Sequence, residues 1–180
     1  MSWPEVIVGA GFRLRAWRMD DVDSLVRHAN DALVSRSLGH RFPYPYTEED
    51  ARIFIGQGLH LPDEKTWAIE INGEASGGIG VHPGEGVERH SAELGYWLGR
   101  AYWNEGIASA AVAAVLPHAI HELRLYRLQA RVFADNLASM RVLQKCGFVH
   151  EATLHNLVVK DDRVLDMLIY AITRGSLDAE

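Results

Sequence analysis

The sequence predicts a mixed α/β (α+β) layer structure, and three observations carry that prediction. Short segments of apolar and polar alternation recur from Phe12 to Ile172, two of them joined by the hairpin turn Asn72-Gly73. One long alanine-rich stretch, Gly106 to Leu123, has helical character and lies between strands. Helix-opening patterns stand at Thr47 and at Asp135-Asn136, each directly before a segment of helical periodicity.

Taken in order, Phe12 to Trp17 alternates as a strand. Asp20 and Asp21 then open a helix with Val22, Leu25, Val26 and Ala29 on one face. Arg36 to Tyr46 contains Gly39, Pro43 and Pro45 and reads as loop. Thr47 and Asp50 form a capping-box pattern before a second helix carrying Ala51, Phe54 and Ile55. Strands follow at Thr66 to Ile71, Ser76 to Val81 and Ser91 to Leu98, the last two separated by the turn Pro83-Gly84-Glu85-Gly86. After the alanine-rich helix, Arg127 to Phe133 is a strand, and Asp135 or Asn136 caps a short helix that Gly147 ends. Phe148 to Leu157 and Val164 to Ile172 close the chain as two strands around Lys160 to Arg163. The predicted order is β-α-α-β-β-β-α-β-α-β-β over one domain, residues 1–180.

A chain of 180 residues with 48% hydrophobic and 23% charged residues has the composition of an ordinary globular protein. A net charge of −6 argues against nucleic acid as a partner and leans toward a cationic one, such as an amine. No stretch has the roughly 18 apolar residues of a membrane span. The start Met1-Ser2-Trp3-Pro4-Glu5 lacks the pattern of a secretion signal, and Cys146 is the only cysteine. These features make the cytoplasm the expected compartment, with no membrane partner. His118 and His121 lie one helical turn apart without further ligands, so no metal is expected.

The chemistry concentrates where a strand ends at Leu98-Gly99, an irregular turn follows, and a helix begins at Gly106-Ile107-Ala108. A helix start offers unpaired N–H groups and positive potential to an anion, and glycine leaves the approach open. There is no Gly-Lys-Ser/Thr and no G-x-G-x-x-G, so neither a Walker loop nor a dinucleotide fingerprint is present. On its own this segment is read equally well as an anion cradle or as a plain bend.

The run from Ala92 to Ser109 resembles the cofactor-binding motif of the Gcn5-related N-acetyltransferase (GNAT) superfamily, Gln/Arg-x-x-Gly-x-Gly/Ala, with Trp103 where Gln or Arg is usual. That departure resembles the branch of bacterial ribosomal-protein N-terminal acetyltransferases. A second motif follows at Asn136-Leu137-Ala138-Ser139 and Val142 to Phe148, and Phe42 to Thr47 resembles the branch's substrate-side loop. The resemblance implies a central, mixed, mostly antiparallel sheet, splayed and flanked by helices. Acetyl-CoA would enter as co-substrate where the strands Ser91–Leu98 and Arg127–Phe133 part. Its pantetheine arm would meet backbone around Trp97 and Leu98. Its pyrophosphate would meet the segment Trp103, Asn104, Glu105, Gly106, Ile107, Ala108 and Ser109, with Arg100 near the phosphates or in solvent.

An alkyl ammonium has a pKa near 10, so direct attack by an amine on a thioester requires a group to take its proton. Glu93 is the candidate base and, on the same ground, an acceptor-binding residue; His90 is the alternative. Family members place a tyrosine at the position of Leu143 to assist the leaving thiolate, so here that role passes to Ser139, which otherwise caps the helix. Asn136 holds the cofactor arm or is itself the cap. Tyr44 and Tyr46 are candidate acceptor-binding residues beside the groove bordered by Arg36–Tyr46 and His155–Arg163. The implied function is acetyl transfer to a primary amine, either a protein N-terminus or a small molecule, with a homodimer left open. The alternative is a non-catalytic acyl-CoA-binding module of the same fold.

Overall fold

In the structure, a computed structural model that describes residues 6–39, 42–60 and 65–173, eight strands form one sheet. The strands are β1 (Val6–Gly9), β2 (Phe12–Arg15), β3 (Lys65–Ile71), β4 (Glu74–Pro83), β5 (Ser91–Leu98), β6 (Arg127–Phe133), β7 (Val149–Lys160) and β8 (Arg163–Thr173). Their order across the sheet is β1-β2-β3-β4-β5-β6-β8-β7. Only the β5–β6 pair is parallel. The helices are α1 (Val22–Ala29), α2 (Ala32–Arg36), α3 (Glu48–His60), α4 (Ile107–Glu122) and α5 (Leu137–Lys145).

Alternation along the strands divides the sheet between two cores. Leu14, Ile69, Ile79, Val81, Ala92, Leu94 and Leu128 bury against α4 and α5, joined by Val112, Val115 and Leu143. On the other face Trp17 and Ala68 pack with Leu25 of α1 and Ile55 of α3. Arg15 reaches sideways within the α1 face. Its guanidinium bonds both Asp21 carboxylate oxygens at 2.7 Å and also pairs with Glu70. This buried, fully paired set fixes the start of α1 to β2 and β3.

The structure extends the predicted order in two places. Val6–Gly9 forms an edge strand against β2. Ala32–Arg36 forms a short helix between the first predicted helix and the expected loop, because Asp31 caps it, accepting from the N–H groups of Leu33 and Val34. The last hairpin is also longer than predicted. Val149 to Lys160 stays in the sheet to a two-residue turn at Asp161-Asp162, with a bulge between Leu154 and Val158.

The feature that positions a site is the parting of β5 and β6. They pair only at Ser91↔Arg127, Ala92↔Leu128 and Glu93↔Gln129. Beyond that point β5 continues against β4 to Leu98, and β6 continues against β8 to Phe133.

Candidate functional site

The gap between β5 and β6 presents backbone hydrogen-bonding groups on both walls. Gly84 N donates to Ser91 O at 2.8 Å and Gly99 N to Ser76 O at 2.7 Å, which fixes the phase of the β4–β5 ladder. Residues 91, 93, 95, 97 and 99 therefore bond to β4, whereas Tyr96 and Leu98 turn their backbone groups into the gap. Across the gap, Ala134 N donates to Asp166 O at 3.0 Å, and the same argument turns the backbone of Arg131 and Phe133 toward β5. Such a pair of strand edges, not bonded to each other beyond Glu93↔Gln129, suits an extended, amide-containing chain.

Of the two residues expected to meet the pantetheine arm, Leu98 faces the gap. Trp97 has its backbone committed to β4, and its indole lies on the α1 face, 5.2 Å from the ring of Phe42. Two glycines of β4 make that possible. A Cβ at Gly77 would stand 2.6 Å from Trp97 O, and one at Gly78 would stand 2.7 Å from the indole nitrogen.

At the mouth of the gap the chain turns through Arg100–Tyr102 and Trp103 to Gly106 into α4. Gly106, the residue before α4, has φ 79°, in the left-handed region. No side chain caps this helix start, and the space a Cβ would take at Gly106 is open. The amides of Ile107, Ala108 and Ser109 have no partner within the helix, because Ala110 N is the first to bond back, to Gly106 O at 3.0 Å. Asn104 is left-handed too, with φ 65°, and Asn104 and Glu105 are exposed. The Trp103 indole N–H donates to Leu98 O at 2.8 Å, which ties the turn to the end of β5. Arg100 lies 3.8 Å from Asp31.

Across the gap stands the first turn of α5. Asn136 is its cap, its side-chain oxygen accepting from Ser139 N at 3.1 Å. The Ser139 hydroxyl lies 2.7 Å from the phenol oxygen of Tyr96. Burial is the main force that pushes the Tyr96 phenol well above its ordinary pKa, so it stays neutral. Leu143 is fully buried in the core between α4, α5 and the sheet. A tyrosine hydroxyl thus approaches this turn from β5, where sequence reasoning looked for one only within α5.

Glu93 projects from the opposite face of β5, in phase with Trp97 and out of phase with Leu94 and Tyr96. It is the last paired residue before the strands part, opposite His82 on β4 and Gln129 on β6. The next position on its face is Gly95, which adds no side chain, and His82 Nε2 comes within 3.9 Å of where a Cβ there would stand. His90 is excluded from this place: its Nδ1 is 3.1 Å from Arg124 O and its ring lies against Tyr126, at the closed end of the pair. The ring of Tyr46 is packed in the α1–α3 core beside Phe42, with its phenol pushed up to about 12, chiefly by burial. Stacking on an acceptor is therefore open to Tyr44, which is exposed, and closed to Tyr46.

A set of residues that sequence reasoning missed surrounds the end of β6. Asp135, adjacent to the cap Asn136, takes hydrogen bonds from Arg36 at the end of α2 and Arg163 at the start of β8. Asp166 holds the β7 bulge, accepting from Asn156 N at 2.8 Å and pairing with His155 Nδ1 at 2.9 Å. The Asp-Asn pair at 135–136 was the available signal; the arginine partners lie too far along the chain to be read from it. Among the described residues, no three His, Cys, Asp or Glu side chains converge for a metal ion. Among them, too, no helix is long and apolar enough to cross a membrane.

The model of the acetyltransferase (GNAT) domain family matches residues 12–149. The chain belongs to that family. The ribosomal-protein-serine acetyltransferase of Escherichia coli (strain K12) is 31% identical over 130 residues, covering 69% of this chain and 71% of that protein. The Bacillus subtilis (strain 168) protein named Probable N-acetyltransferase YjcK is 42% identical over 83 residues, but that match spans only 43% of this chain and 46% of YjcK. Among solved structures, Mycobacterium smegmatis RimJ in complex with CoA-disulfide superposes with a TM-score of 0.80 at 27% identity, over 97% of this chain and 88% of that one. Within the GNAT family the chain thus falls in the branch resembling ribosomal-protein acetyltransferases. By family it is an acetyl-CoA-dependent N-acetyltransferase.

Proposed function

We propose that the protein acetylates the primary amine of a protein N-terminus, with Glu93 and Ser139 acting from opposite faces of β5. The observation that carries this reading is the parting of β5 and β6 directly beyond Glu93, with the uncapped start of α4 at its mouth. Acetyl-CoA supplies the acyl group as a thioester. The Tyr96 and Leu98 backbone takes the extended arm, and the amides of Ile107, Ala108 and Ser109, with Trp103, Asn104, Glu105 and Gly106 shaping the turn, take the pyrophosphate.

In this mechanism Glu93 accepts the ammonium proton, through a water, from the α1 face. The neutral amine forms the new C–N bond as the C–S bond breaks. Ser139 donates a hydrogen bond toward the leaving sulfur from the α5 face, which lowers the cost of the charge developing there. The amide nitrogen loses its remaining extra proton to solvent, and the sulfur leaves as thiolate or, once protonated, as thiol. Tyr44 and the segment around it border the acceptor. A protein acceptor is supported by the name of the Escherichia coli relative, a ribosomal-protein-serine acetyltransferase.

The buried Leu143, standing where family members carry a tyrosine, favours a second reading as a non-catalytic acyl-CoA-binding module. Acetyl-CoA incubated with N-terminal peptides, polyamines and amino acids, with thiol release and a mass gain on the acceptor followed together, separates the two. Acetylated peptide at its α-amine is the expected result. Acetylation of small amines alone would move the acceptor class. Thermal stabilisation by CoA without turnover on any amine would favour the binding module.

A further inference from the structure

We infer that Tyr96 is a positioning residue for Ser139: its phenol donates to the serine hydroxyl oxygen and thereby directs the serine proton into the β5–β6 gap. The inference rests on the reading of Ser139 as the group that faces the leaving sulfur.

Two proton arrangements are open to this pair. In one, the phenol donates to Ser139 Oγ and the serine proton is left for a third partner. In the other, Ser139 donates to the phenol, whose own proton goes to the Ser139 carbonyl. The phenol oxygen is 2.7 Å from Oγ but 3.3 Å from that carbonyl. The short contact is common to both arrangements, and the second adds only the longer one, which lies outside the usual O–H range. A phenol is the stronger acid and a serine hydroxyl oxygen the better acceptor, so the first arrangement is the stronger. The carbonyl of Ser139 also lies in the first turn of α5, where it accepts from the helix. The serine N–H is already held by Asn136. Among the described residues, the hydroxyl proton of Ser139 is the one donor of that residue left for a ligand.

The location supports the role. Tyr96 starts on β5, turns its backbone into the gap and sends its ring under α5 to a residue 43 positions away. It therefore spans from one wall of the gap to the other. The phenol is kept neutral by burial and remains a donor; the other titratable group facing it is the thiol of Cys146, itself raised by burial and directed at Ser109 O at 3.4 Å.

The test compares binding of CoA and of desulfo-CoA, which lacks the thiol, between pH 7 and pH 9.5. The proteins are the wild type, Tyr96→Phe, Ser139→Ala and the double variant. A donor aimed at sulfur favours the thiolate, so CoA should gain on desulfo-CoA as pH rises through the thiol pKa, about 8.5 for a model thiol. The expected gain is about tenfold in the wild type, the size of a hydrogen bond to an ionised acceptor. Tyr96→Phe should cut it to threefold or less, leave desulfo-CoA affinity within twofold, and match Ser139→Ala and the double variant. A full gain in Tyr96→Phe, with the gain lost in Ser139→Ala, overturns the role of Tyr96 alone. Loss of desulfo-CoA binding in Tyr96→Phe recasts the phenol as a prop of the fold and overturns it too. A gain that survives Ser139→Ala, or is absent from the wild type, overturns the reading of Ser139 beneath it.

Discussion

At the scale of single residues, the proposed reaction divides its labour across one strand. Glu93 and Tyr96 are three positions apart on β5, so the period of two sends them to opposite faces. Ser139→Ala removes the proposed donor at sulfur while leaving the cap residue Asn136 and the gap backbone intact. We expect kcat to fall about 10- to 100-fold, as for the loss of a hydrogen bond to a developing charge, with KM for acetyl-CoA within about twofold. Equal losses in both would make Ser139 a binding residue. Glu93→Gln should lower the rate most at the acid end of the pH profile, where nearly all the amine is protonated and a base matters most. A profile superimposable on the wild type would remove Glu93 from the reaction. Of these residues, Glu93 and Ser139 stand out in the sequence as candidates through the motifs that contain them. The Tyr96–Ser139 contact does not, because it joins two elements 43 residues apart and depends on how α5 settles over the sheet.

At the scale of elements, the turn from β5 into α4 carries the proposed anion site. Gly106 has φ 79° and open space where a Cβ would lie, so Gly106→Ala brings backbone strain without a clash. We expect it to cost about 1 kcal/mol of stability, read from the urea midpoint, together with weaker CoA binding. Unchanged affinity for CoA would place the pyrophosphate elsewhere. This turn was visible beforehand because glycine, a strand end and an alanine-rich helix stand in a row. The short α2 was missed because five residues carry no periodicity and only its cap, Asp31, announces it. The extension of β7 to Lys160 was missed because its bulge around His155–Leu157 breaks the alternation on which a strand is recognised.

At the scale of the whole molecule, ion pairs tie the end of β6 to distant parts of the chain. Burial raises the Asp135 carboxyl, but the hydrogen bonds from Arg163 and Arg36 outweigh it and hold the group below the ordinary aspartate value. Asp166 is held low by the N–H of Asn156 and by His155, and Glu151 by Arg127. A carboxylate with a depressed pKa in the folded state contributes stability that is present above its unfolded value, about 4. That contribution is lost as pH falls through the folded value. The urea midpoint should therefore be level above about pH 5 and drop below about pH 4, with a shallower drop in Asp135→Asn. A midpoint constant down to pH 2 would deny these pairs any role. The family fold as a whole was readable because two motifs stood in the right order on strand and helix starts. The pairing of Asp135 with both arginines was not, since no local pattern encodes it.

Backbone amide NMR shifts on titration with CoA report whether the cofactor lies in the gap between β5 and β6. The amides of Tyr96, Leu98, Ile107, Ala108 and Ser109 should move most, with Arg131 and Phe133 following, while the amide of Trp97, bonded to β4, moves far less. Saturable CoA binding that leaves these amides in place and shifts the outer strands β1 or β7 instead would contradict that placement.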